Sequence, residues 1–477
     1  MTETSPSFKP TLGLFDATMI VAGSMIGSGI FIVSADITRN VGSAGWLIAI
    51  WLITGFMTLT AALSYGELSA MYPKAGGQYV YLKEAFNPLA GFLYGWSFFA
   101  VIQTATIAAV GVAFSKFAAY IVPALSENHI LFTVGSLKIS AAQIVSIVLI
   151  LFLTWVNTKG IEGGKLIQRF FTSTKLLALF GLIVFGFVLV KHSYWNENWQ
   201  TGFSAMQQEK DAAGEFVKNG NWMPIGGAAF IGAIAAAMVG SIFSSDAWNN
   251  VTFIAGEIKN PKKNIGLSLM LGTLIVTVIY ICANLMYINV LPLNGIANAE
   301  NNRVALVAAN GIFGDAGTLI IAVLIMISTF GCNNGLILAG ARVYNSMAKD
   351  GLFFKQAAQL NKHNVPEFAL WIQFIVASLL CLSGRYGDLL DMISFVVVLF
   401  YALTIIGIFK LRKTRPDAER PYKAFGYPVL PAVYILMAIA FCVLLIWYKP
   451  AYAGWGLAIV LAGIPIYYIA VANKNKA

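Results

Sequence analysis

The chain has 477 residues, of which 58% are hydrophobic and only 11% charged. Soluble domains carry about 25% charged residues, so a soluble globular fold is excluded. The net charge of +10 calls for no nucleic-acid partner, because basic loops facing an anionic lipid leaflet account for it.

The opening segment, MTETSPSFKPTL, is polar. The apolar block behind it is too long for the core of a secretory signal, so no cleaved leader is expected. Twelve apolar blocks follow, at about 12–37, 44–69, 89–122, 139–157, 166–190, 226–254, 264–290, 316–347, 367–384, 389–411, 428–448 and 452–471. A helix needs about 20 such residues to cross a hydrocarbon core roughly 30 Å thick. The longest loop, about 191–225, is polar and rich in tryptophan, and reads as a structural cap or as a gate, with room for a short helix. Residues 409–428, FKLRKTRPDAERPYKAFGYP, form a basic linker broken by prolines. Lys and Arg number 21 in the loops on the side of the N-terminus and 8 in the opposite loops. Both termini are therefore expected in the cytoplasm of a multi-pass protein of the cell's inner (plasma) membrane. Cys282, Cys332, Cys381 and Cys442 each fall in a separate apolar block, which suggests no disulfide framework.

The first block contains AGSMIGSGIF, residues 22–31, where glycines and serines interrupt an apolar helix. Glycine inside a helix costs about 1 kcal/mol relative to alanine. Gly23 and Gly27 form a GxxxG pair, so close helix packing explains part of the pattern. The sixth block has a matching interruption in MVGSIFSSDAWNN, 238–250. Paired interruptions in corresponding spans point to a carrier with inverted repeats. In such a carrier the freed amides of one helix suit a carboxylate, and the freed carbonyls of the other suit an ammonium. An α-amino acid bears both groups.

GSMIGSGIF resembles the first-span signature of the amino acid–polyamine–organocation superfamily. DAWNNVTFIAGEIKNPKKNI (246–265), SYGELSAMYPKAGGQYVYLKEAF (64–86), FTSTKLLAL (171–179), STFGCNNGLILAGARVYNSMAKDGLF (328–353) and RPDAERPYKAFGYPVLP (415–431) are similar to its L-amino-acid transporter branch. The resemblance runs in order from about residue 11 to 470. It implies an all-α integral membrane protein with a LeuT-like fold: one permease domain over 1–477, with repeat one at about 12–190, an inverted repeat two at about 226–411, and extra helices at about 428–471. Animal members of the branch join a partner glycoprotein through a cysteine in the external loop after span three. Here that loop, VPALSENHILFTVGSLK, has none. A bacterial-type chain without a disulfide-linked partner glycoprotein is therefore expected.

The resemblance also implies site residues. Ser28 and Gly29, with Ser24 and Met25 nearby, match the positions that hold the substrate carboxylate. Phe243 matches an aromatic gate, and the carbonyls of Phe243, Ser244 and Asp246 match those receiving the α-ammonium. Cys332 matches a side-chain contact, and Asn249 either borders the pocket or caps the resumed helix. Lys175 matches a lysine that puts an ammonium where sodium-coupled relatives bind Na⁺, reaching carbonyls near Gly27 and the hydroxyl of Ser328. Ionisable groups deep in a span are costly and usually functional. Asp246 either favours cationic substrate side chains or scaffolds the break. Lys116, near the outer end of span three, reads as a snorkelling lysine.

Tyr280, Asn284 and Tyr287 lie on one face of span seven, either lining the pathway or bonding neighbouring helices. His129, His192 and His363 all fall in loops, and the sequence has no phosphate-binding loop and no metal-ligand spacing. No enzyme, metal or cofactor is expected. The reading is a sodium-independent carrier of L-amino acids, an exchanger in preference to a proton-coupled amino acid or polyamine symporter. A non-transporting nutrient sensor with a permease fold is the reading from a different class.

Overall fold

The computed structural model describes residues 10–474 apart from 136, 161, 384 and 385. It is an α-helical membrane protein, and among the described residues 11 helices are long and apolar enough to span a bilayer. Glu367–Ser383, of 17 residues, is slightly shorter than these and occupies the place of span nine. The others are span one (Leu14–Met25, Gly29–Ile32, continuing as Ser34–Val41), span two (Ala44–Met71), span three (Pro88–Ile121), span four (Ala141–Thr158) and span five (Glu162–Val188). Span six is Gly227–Ser244, resuming as Asn250–Phe253, and span seven is Pro261–Val290. Span eight follows a kink at Gly314 within Val304–Lys349. Spans ten, eleven and twelve are Tyr386–Thr414, Val429–Tyr448 and Pro450–Lys474.

Local sequence sets several of these boundaries. Asn87 caps span three, its Oδ1 accepting from the Ala90 amide at 2.8 Å with Pro88 in the first turn. Ser140 and Gln143 form a reciprocal capping box at the start of span four. Gly314 takes φ 72, a conformation that a residue with a Cβ rarely adopts, and this splits an external helix from span eight.

Span three runs through the centre, with 89% of its apolar window buried, whereas only 17% is buried for the outermost span twelve. Span seven packs on spans one and two, and span eight packs on spans three and five. The loop 191–225 holds the short helix Trp195–Trp199 and a two-stranded hairpin of Met206–Gln208 with Trp222–Pro224. On the face where the N-terminus lies, the linker before span eleven is anchored to the buried Glu67 of span two. Arg412 Nη2 reaches that carboxylate at 2.6 Å, Arg420 Nε at 3.3 Å and the Ala424 amide at 2.7 Å.

Candidate functional site

Span one loses its helical bonding at Ile26–Ser28, where Ile26 has ψ 86 and Gly27 N turns back to Met25 O at 2.8 Å. The last carbonyls of a helix have no amide four residues ahead and need other donors. Here other spans supply them. Lys175 Nζ of span five donates to the carbonyls of Gly23 and Ile26, the latter at 2.8 Å. The Cys332 thiol of span eight donates to Ser24 O at 3.3 Å. The Tyr280 hydroxyl of span seven lies 3.0 Å from Met25 O.

Span six breaks after Ser244. Ala247 sits in the break with φ 63, a left-handed conformation held by the turn around it. The two breaks touch. A Cβ on Gly29 would lie 2.6 Å from Ser244 Cβ and 2.9 Å from Ser244 Cα, so only glycine allows this approach. A Cβ on Gly27 would meet the Cys332 sulfur at 3.1 Å. The glycines thus serve helix packing as well as local unwinding.

Tyr280 also lies 3.0 Å from Ser244 O, so its single hydroxyl proton serves either break. Farther along span seven, Asn284 Oδ1 accepts from the Ser34 hydroxyl at 2.7 Å, and Tyr287 donates to Ile30 O at 3.2 Å. All three residues are buried against span one. These contacts are interhelical bonds, one of the two readings that the sequence offers.

Other expectations are corrected in detail. Ser328 lines a small cavity with Lys175, yet among the described residues its buried hydroxyl has no hydrogen-bond partner. The ammonium is satisfied by span one instead. Asn249 stands at the N-cap of the resumed helix, but its side chain makes no capping bond: its amide donates to Gln78 Oε1 at 3.0 Å. Of the three expected ammonium acceptors, Phe243 O already takes the Asp246 amide at 3.2 Å, and Ser244 O shares the Tyr280 hydroxyl with Met25 O. Each carbonyl keeps a second lone pair. Met25, Ser28 and Phe243 are buried around the breaks.

Asp246 accepts a hydrogen bond from the Tyr401 hydroxyl of span ten at 2.5 Å. Among the described residues it forms no ion pair. It borders two narrow cavities. One is lined by Gln78, Tyr94, Gln103, Thr106 and Asn249, and the other by Thr54, Thr58, Ser245 and Tyr434. Both have room for a water rather than an amino acid. Tyr401 and Gln78 were not legible as site residues, because only the fold brings them there. A π-turn at Phe98–Ile102 in span three also escaped the sequence reading. Such turns recur at functional sites, and Phe98 and Ile102 border the first cavity.

Two interrupted helices meeting at their breaks, inside a bundle of apolar spans, define a helical membrane carrier. The sequence model of the family described as "Amino acid permease" matches residues 12–471, and the chain belongs to that family. It is an amino acid transporter and not an enzyme. The chain is 30% identical over 474 residues to "Large neutral amino acids transporter small subunit 2" of Homo sapiens, covering 98% of this chain and 82% of that protein. It is 28% identical over 471 residues to "Asc-type amino acid transporter 1" of Mus musculus, with 98% and 83% covered. The "b(0,+)-type amino acid transporter 1" of Mus musculus is 27% identical over 470 residues, with 98% and 89% covered. The first of these is named a small subunit, one part of a larger assembly. Similarity to it lends no support to the expectation that this chain works without a partner.

Proposed function

We propose that the chain is a sodium-independent exchanger of L-amino acids across the plasma membrane. It works by alternating access around a site formed where spans one and six are interrupted. The observation that carries this reading is the Lys175 ammonium on the carbonyls of Gly23 and Ile26. A fixed positive charge at the span-one break removes the need for a cation there. The amides at Ser28 and Gly29, beside Met25, receive the substrate carboxylate. Remaining acceptor capacity on Phe243, Ser244 and Asp246 receives the ammonium. Phe243 closes over the substrate, and Cys332 forms part of the wall. The two breaks fall in the first span of each five-span repeat, as an inverted-repeat architecture requires.

Asp246 extends the reading to substrate choice. A buried carboxylate whose side-chain hydrogen bond comes from neutral Tyr401 suits a cationic substrate side chain beside the shared amino acid group. The excess of Lys and Arg, 21 against 8, puts both termini in the cytoplasm. The four cysteines lie within spans, so any partner subunit is held without a disulfide. The bacterial-type character rests on the cysteine-free external loop alone, since the relatives named above are mammalian.

The test is uptake of radiolabelled amino acids into proteoliposomes, loaded or empty, with and without Na⁺ and H⁺ gradients. Uptake that requires internal amino acid and ignores both gradients is expected. Concentrative uptake into empty vesicles, driven by either gradient, would refute exchange.

A further inference from the structure

On the face where the N-terminus lies, Glu257 follows the resumed helix of span six, and Arg342 stands in span eight. Arg342 Nε and Nη2 both donate to Glu257 Oε1 at 3.3 Å. The two side chains are 0% and 7% exposed, Arg342 first. The backbone at Glu257 is engaged too. Its carbonyl accepts from the amides of Thr11 and Leu12 at 2.9 and 3.0 Å, and the Lys259 amide donates back to Leu12 O at 2.8 Å. The entrance of span one and the exit of span six are therefore fastened together, and one buried ion pair ties both to span eight. The loop after span two closes the same face. Gly76 N donates to Phe253 O at 3.2 Å, and the Ser346 hydroxyl of span eight donates to Ala75 O at 3.1 Å.

We propose that the Glu257–Arg342 pair is the latch of this face, and that substrate passes to the N-terminal side only after it parts. The inference rests on the alternating-access reading above. Glu257 and Arg342 are positioning residues and touch no substrate. Spans one and six carry the two breaks, so a tie from their joined ends to span eight resists separation of the site's halves. Neutralising one partner removes this ion pair and leaves the other charge with less compensation on this face, a state that opening and hydration relieve. Neutralising both leaves no buried charge and restores most of the closed state.

The native thiol of Cys332, buried at the span-one break, reports the opening. Inside-out vesicles carrying the full chain are treated with a charged, membrane-impermeant thiol reagent, and a Cys332→Ser variant gives the background from the other three cysteines. Glu257→Gln and Arg342→Gln are expected to raise Cys332 labelling about ten-fold, and the double variant to return most of the way to wild type. Folded single variants labelled no faster than wild type, or a double variant at least as reactive as the singles, would overturn the proposal. Should the singles fail to fold, Glu257→Asp, which keeps the charge and shortens the reach, is labelled with the same two outcomes. Labelling does not depend on transport, so a chain inactive in exchange would refute the proposed function while leaving the latch decided on its own result.

Discussion

Lys175 of span five donates a hydrogen bond to the carbonyl of Ile26 in span one, at 2.8 Å, where span one loses its own helical bonds. A second bond from the same ammonium goes to Gly23 O, one turn earlier. The interruption is thereby held by a side chain from another span. A backbone carbonyl buried without a donor costs about 1–3 kcal/mol, so this one contact accounts for much of what lets an interrupted helix persist inside an apolar bundle.

Gly29 and Gly27 are expected to differ sharply in tolerance. Gly29→Ala drives a Cβ against Ser244, whose Cα would lie 2.9 Å away, and backbone cannot move aside cheaply. Loss of a monodisperse peak in gel filtration, or a large fall in melting temperature, is expected. Gly27→Ala has its one tight contact with the Cys332 sulfur, at 3.1 Å. It should be milder, and Cys332→Ala in the same chain should relieve it. Wild-type stability in Gly29→Ala would show that the two breaks do not touch as described.

Substrate charge is read through Asp246. Two unit charges about 4 Å apart at an effective dielectric near 20 interact by about 4 kcal/mol, and desolvation reduces the net to roughly 1–2 kcal/mol, about ten-fold in affinity. Asp246→Asn should therefore weaken lysine and arginine about ten-fold more than alanine and leucine in competition assays. Tyr401→Phe removes the donor to Asp246 and should disturb all substrates together. Equal losses across the panel for Asp246→Asn would make the carboxylate a scaffold only.

The interruptions themselves were legible, because glycine and serine stand out against an apolar span and the same anomaly recurs at 238–250. Lys175 and Asp246 were legible for a related reason, since charge deep in lipid is conspicuous. What each residue touches was not. Asn249 looked equally suited to cap a helix, and only the fold turns it toward Gln78 at 3.0 Å. Tyr401 is the one hydroxyl in the run VVVLFYAL, and Phe98–Ile102 reads FFAVI, with nothing in it to announce a π-turn. Gly29 matched a position that holds the substrate carboxylate, and its contact with Ser244, which takes the space its missing side chain leaves, was not legible.

Ser328 separates a lysine-only site from one that still holds an ion. Among the described residues its buried hydroxyl has no hydrogen-bond partner, and it lies beside a cavity shared with Lys175. Removing an unpartnered buried hydroxyl is nearly neutral or stabilising, within about 1 kcal/mol. Ser328→Ala should keep exchange within about two-fold of wild type and leave thermal stability unchanged or slightly raised. A severe loss of exchange in a folded Ser328→Ala protein would assign the hydroxyl a ligand.

Exchange measured as counterflow in proteoliposomes, with Na⁺ or choline as the only external cation, tests the central claim most directly. The wild type should run at the same rate in both media, because Lys175 supplies the charge at the span-one break. Lys175→Ala strands the carbonyls of Gly23 and Ile26 and should fall by at least about ten-fold in both media. An absolute requirement for Na⁺ in the wild type would contradict the account.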